Sequence, residues 1–147
     1  MPHDPLEHVI EPLYAAFRRV PKPPQVAGEP WELTDHYRRF LLREPLRTLT
    51  ATHFRDYLFV MHAAHVGPWS EFAYFLPRLL ELVAQGEIDD FNSESILRVV
   101  RAALEDHRFT PAQAEAVRAV LALSGGGFAD VEDDPVARLG ILRQEDT

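Results

Sequence analysis

The 147-residue chain contains no cysteine. Disulfides, thiolate zinc sites and cysteine nucleophiles are therefore excluded, and a reducing cytoplasm is the expected compartment. Long apolar runs are missing as well. Arg78 and Glu81 interrupt the longest one, short of the roughly 18–20 residues that a membrane-spanning helix needs. The start, Met1-Pro2-His3-Asp4-Pro5-Leu6-Glu7, has neither the basic patch nor the apolar run of a signal peptide. A cytoplasmic protein with no membrane contact is expected. No Asn-Gly or Asp-Gly dipeptide marks a tight hairpin, and no segment alternates apolar and polar residues over the length of a strand.

Positive charge is also scarce. The net charge is −8; residues 1–66 hold 8 Lys+Arg and 8 Asp+Glu, whereas residues 67–147 hold 7 and 15. The whole acidic excess thus lies in the second half. Phosphate backbones are repelled by such a surface, so nucleic acid is not an expected partner, and a basic protein is. The one basic cluster is Arg38, Arg39, Arg43 and Arg47. It reads either as a contact for an acidic partner or as the solvated side of an amphipathic helix.

What the chain does have is helical periodicity. Leu6, Val9, Ile10, Leu13, Phe17 and Val20 recur at three- and four-residue spacing over residues 5–20, with Pro12 predicting a kink or early break. Four prolines in residues 21–30 predict an extended spacer, and Pro21-x-x-Pro24 also matches the minimal ligand of a proline-binding domain. Thr34 is placed to cap a helix to about residue 44, with Tyr37, Phe40 and Leu41 on one face. A further helix is expected from Thr50 or Ala51 to Val66, with Phe54, Leu58, Met61 and His65 in register, before Gly67-Pro68 stops it. Ser70 is read as the cap of a central helix ending near Gln85, where Gly86 supplies a C-terminal cap. Asp89 to Ser93 reads as a polar entry to a helix from about Glu94 to His107, with Ile96, Leu97, Val100 and Leu104 inward. Thr110-Pro111-Ala112-Gln113 combines a capping threonine, proline at the first helical position and glutamine at the third. Past Gly125-Gly126-Gly127, residues 125–134 are expected to be a flexible acidic loop, and 135–147 a short tail helix.

The sum is one all-α domain over residues 1–147, a bundle or αα-array of about six or seven helices, with a proline-containing central helix at about 70–85. Its segment Phe72-Ala73-Tyr74-Phe75-Leu76-Pro77-Arg78-Leu79-Leu80-Glu81-Leu82 is apolar almost all round. A helix of that kind must be enclosed by neighbours. Pro77 cannot donate to the carbonyl of Ala73, a cost of about 3 kcal/mol in a helix interior. The helix is therefore expected to bend around the core, to restart near Pro77, or to shape a groove that exposes the freed carbonyl.

Few residues point to chemistry. His62 and His65 stand three apart and lie on neighbouring faces of one helix, a possible half of a zinc site; His53 is on the opposite side, so Glu71 or a distant histidine would have to complete it. The other reading of His65 is a core histidine in the stripe of Leu58 and Met61. Asp89-Asp90, Glu105-Asp106 and Asp133-Asp134 are adjacent pairs whose side chains diverge in a helix, and no serine sits in a nucleophile elbow. No catalytic residue, cofactor or metal is assigned. Trp31 and Trp69 lie beside Pro30 and Pro68 at expected junctions. Each is a candidate protein-binding hot spot or a staple between a loop and the core.

Phe75-Leu76-Pro77-Arg78-Leu79-Leu80-Glu81-Leu82, with Phe72 before it, resembles a segment of an uncharacterised bacterial all-helical family, Phe-x-x-Phe-Leu-Pro-Arg-x-Leu-Glu-Leu. Ser70-Glu71 is similar to the acidic pair preceding it there. Phe109 and Gln113 stand where that family carries tryptophan and glutamate. The resemblance implies an all-α fold and no catalytic residue. The expected function is a non-enzymatic α-helical protein-interaction module, with self-association as one form and a basic protein partner as another; the alternative is a metal-binding protein or metal-dependent enzyme using His62 and His65.

Overall fold

Six α-helices and one 3-10 turn make up the computed structural model, which describes residues 5–27, 33–62 and 68–123. They are α1 (Pro5–Ala16), α2 (Asp35–Arg43), the 3-10 turn (Leu46–Thr48), α3 (Ala51–His62), α4 (Trp69–Ala84), α5 (Asp90–Glu105) and α6 (Pro111–Leu123). No strand occurs among the described residues. The chain is all-α, as its periodicity predicts. Trp31, His65, the loop at 125–134 and the tail at 135–147 lie outside the described residues.

Helix ends follow local hydrogen-bonding chemistry. The Thr34 hydroxyl accepts from the Tyr37 N–H at 3.2 Å, and Thr110 and Gln113 form a reciprocal box in which Gln113 Oε1 accepts from the Thr110 N–H at 3.0 Å and Thr110 Oγ1 from the Gln113 N–H at 3.1 Å. After α4 the backbone turns left-handed at Gly86, φ 75°. There the Glu87 N–H reaches the Leu82 carbonyl at 2.9 Å and the Gly86 N–H the Val83 carbonyl at 3.0 Å, which satisfies two carbonyls that the helix end leaves open. His107 takes the same role after α5 at φ 58°, with Arg108 N–H on the Ala103 carbonyl.

Two boundaries differ from the expectation. Ser70 is not the cap of α4; the helix begins one residue earlier at Trp69, and the Pro68 carbonyl accepts from the N–H groups of Glu71 and Phe72. Helix α5 begins at Asp90 rather than Glu94, because the Asp89 carboxylate caps it by accepting from the Asn92 N–H at 2.8 Å. Neither internal proline ends its helix. Pro12 is exposed within α1, and α4 runs through Pro77 without restarting.

The core is built around α4. Eleven of its sixteen residues are buried, the arrangement an all-round apolar helix demands. It packs against α1, α6 and the 3-10 turn, and its Phe75 meets Phe54 of α3 edge-on at 5.6 Å and the tilted ring of Tyr57 at 5.2 Å. Leu13 of α1, Leu41 of α2, Ile96 and Val100 of α5, and Val117 and Val120 of α6 complete the same cluster.

Candidate functional site

The residues singled out in the sequence are mostly absorbed by the fold. Trp69 is 7% exposed and packs on Phe109 at 5.2 Å and Phe72 at 5.8 Å. It staples the α5–α6 connection to the core, one of the two readings its position allows. The basic cluster is paired within the chain: Arg39 meets Asp35 at 2.6 Å, Arg43 lies over the Phe40 ring, and Arg47 binds both oxygens of Glu11 while covering the Tyr14 ring at 4.1 Å. Arg38 donates to the Val26 carbonyl at 3.4 Å, bracing the proline-rich spacer. His62 is the last residue of α3 and His65 is outside the described residues, so their pairing is not described. No group of three or more His, Asp or Glu among the described residues is arranged to hold a metal ion.

The burial of two carboxylates, both inside α4, was not foreseen from the sequence. Glu81, 8% exposed, accepts at Oε1 from the Tyr14 hydroxyl and from Arg78 Nη1, each at 2.7 Å. Arg78 Nε in turn donates to the Leu49 carbonyl at 2.7 Å. One ion pair thereby ties α1, α4 and the end of the 3-10 turn. Burial, together with the Glu81 carboxylate, raises the Tyr14 hydroxyl above its ordinary value. The apolar positions of the Phe72–Leu82 segment fill the core and its two charged positions form this clasp, so every part of the segment has a packing role.

Glu71, 2% exposed, accepts from the Ala27 N–H at 2.7 Å and from the Tyr57 hydroxyl at 3.1 Å. Both donors are neutral. Burial therefore dominates and raises the carboxyl above its ordinary value of 4.5, with the two hydrogen bonds acting in the opposite direction. Because the folded state holds the proton more tightly than the unfolded chain, this group's stabilisation is complete below about pH 4.5 and is lost as pH rises through the folded-state value. Urea titrations across that window should show the wild type losing stability relative to Glu71→Gln as pH increases. Parallel curves for the two proteins would contradict this. With both of its oxygens engaged, Glu71 is also poorly placed to complete a zinc site.

Helix α3 carries the remaining candidate. Thr50 and His53 form a box at its start: the Thr50 N–H donates to His53 Nδ1 at 3.0 Å and the His53 N–H to Thr50 Oγ1 at 3.2 Å. The Tyr37 hydroxyl of α2 stands at one rung of the helix, accepting from the Tyr57 N–H and donating to the His53 carbonyl. Burial pushes that hydroxyl up to about 12. With its start and one rung fixed, α3 buries Phe54, Tyr57 and Leu58 and turns Thr52, Arg55, Asp56 and Phe59 outward. Phe59 is 72% exposed, and Phe91 in the first turn of α5 is 57% exposed. Beside Phe59's helix, a groove of about 230 Å³ lies between α3 and the entry to α5, floored by Ala51, Leu58 and Ile88 and edged by Arg55, Glu87 and Asp89. The sequence held a signal for Phe59: it falls outside the stripe of Phe54, Leu58 and Met61, so the periodicity that buries Phe54 and Leu58 leaves it out. Phe91 carried a weaker one, as an aromatic inside a polar helix entry.

Chemically, this surface can bury aromatic area and present carboxylates; it brings together no nucleophile and base. Comparison of the chain with protein-family models, with curated proteins and with solved structures returns no match.

Proposed function

We propose that this protein is a non-enzymatic helical module that binds another protein through the outer face of α3. The observation that carries the reading is Phe59: a phenylalanine 72% exposed on a helix that already buries Phe54, Tyr57 and Leu58. Burying an aromatic ring of this size in an interface is worth several kcal/mol, and aromatic anchors dominate interface energetics. The negative charge, −8 over the chain, favours a basic partner over nucleic acid. The reading includes a cytoplasmic location, where a chain without cysteine loses nothing. Helices long and apolar enough to cross a membrane are absent from the described residues.

Affinity purification from the native cell at low and moderate salt, repeated with Phe59→Asp, tests the proposal. The expected result is a protein recovered with the wild type and lost with the variant, at unchanged thermal stability, since position 59 contributes nothing to the core. Recovery of the same proteins by both, or a wild type that remains monomeric and retains no protein, overturns it.

A further inference from the structure

We infer that the groove between α3 and the entry to α5 receives a basic segment of the partner, with one apolar side chain of that segment seated on Ala51, Leu58 and Ile88. The inference rests on the interaction reading above and adds the chemistry of the occupant. Size is the first argument. At about 230 Å³ the groove falls below the roughly 300–1,000 Å³ of typical small-molecule sites, and it suits a single aliphatic or aromatic anchor.

Charge is the second. The groove's lining carries Glu87 and Asp89 against Arg55, and Asp90 is the next residue along the chain. Arg55 lies 3.8 Å from Asp56, so the one cation of the lining is already offset by a carboxylate of its own helix. Asp89 is engaged in capping α5 through both oxygens. Glu87 and Asp90 are exposed and enter no ion pair among the described residues. They are the two carboxylates left to meet lysine or arginine. Phe59 lies one helical turn beyond Arg55 and extends the apolar surface past the groove.

The test uses the full chain and two fluorescein-labelled amphipathic helical peptides with the same leucine pattern, one with lysine and one with glutamate at the polar positions. Anisotropy titrations compare the wild type with Glu87→Lys/Asp90→Lys and with Glu7→Lys/Glu115→Lys. Both doubles change the net charge equally, but the second alters exposed positions on α1 and α6. The expected result is that the Leu/Lys peptide binds the wild type and the α1/α6 double within about twofold, and the groove double at least about tenfold more weakly. Glu87→Gln/Asp90→Asn, which spares the α5 N-terminus a cation, should fall between them. Equal weakening by both doubles, or equal binding of the Leu/Glu peptide, overturns the inference. So does a wild-type dimer that Phe59→Asp dissolves, since the occupant is then a second copy of this acidic chain. A wild type that retains a cellular partner yet shows no preference for the Leu/Lys peptide overturns this inference and leaves the interaction reading standing.

Discussion

Replacing Arg78 with methionine should destabilise the fold by about 3 kcal/mol, the low end of the range for removing one partner of a buried ion pair. The low end applies because the Arg78 and Glu81 side chains keep 15% and 11% exposure. The substitution leaves the Glu81 carboxylate with only the Tyr14 hydroxyl and frees the Leu49 carbonyl. Most of the loss is the cost of a stranded charge rather than the worth of the pair. The triple replacement Tyr14→Phe/Arg78→Met/Glu81→Leu should therefore recover most of the loss, to within about 1–2 kcal/mol of the wild type, because the Leu49 carbonyl is the one group of the clasp left without its donor. Urea unfolding of the set decides it. A triple variant as unstable as the single one would mean that the clasp itself, and not the stranded charge, holds α1 against α4.

Phe75→Ala should cost about 3–5 kcal/mol, the range for deleting a fully buried aromatic ring. Phe75 is 0% exposed and meets Phe54, Tyr57 and Tyr74 at centroid distances of 5.6, 5.2 and 5.2 Å. Those rings sit on two rigid helices, which limits how far the site can collapse around the void. Against a typical total of about 5–15 kcal/mol, the loss is a large fraction of the stability. The urea midpoint should fall with little change in slope. Phe59→Ala, by contrast, should move the midpoint by no more than about 0.5 kcal/mol. Two phenylalanines of similar appearance in the sequence thus have opposite fates, one architectural and one available to a partner.

The fold was legible where the determinants are local. Thr34, Gly86 and the Thr110–Gln113 box act within a few residues of themselves, and each end forms as its chemistry requires. The stripes of α1 and α5 also point inward as spaced. Boundaries slipped where two local signals competed: Asp89 outbid the later polar residues as the cap of α5, and the Pro68 carbonyl took the place of a Ser70 hydroxyl at α4. Proline punctuation was overridden by packing, since Pro77 is buried within α4, which packs against α1, α6 and the 3-10 turn.

The buried carboxylates were not legible, and the reason is distance along the chain. A glutamate in a helix reads as a solvated position until its partners are known. Glu71 finds one of its donors 44 residues away at Ala27, and Glu81 finds the Tyr14 hydroxyl 67 residues away. Trp69 is a related case, because it looked like a junction residue until Phe109 was brought over it by the α5–α6 connection. Phe59 is the reverse case. Its exposure follows from α3's periodicity, but its neighbourhood depends on where the entry to α5 lands beside α3.

Photocrosslinking from position 59 tests the central claim most directly. A benzoylphenylalanine in place of Phe59, expressed in the native cell, should yield a discrete adduct with another protein, whereas the same group at Ala122, exposed on α6, should yield none. An adduct from position 122 with nothing from position 59, or no adduct from either, would contradict the account that the outer face of α3 is where this protein meets its partner.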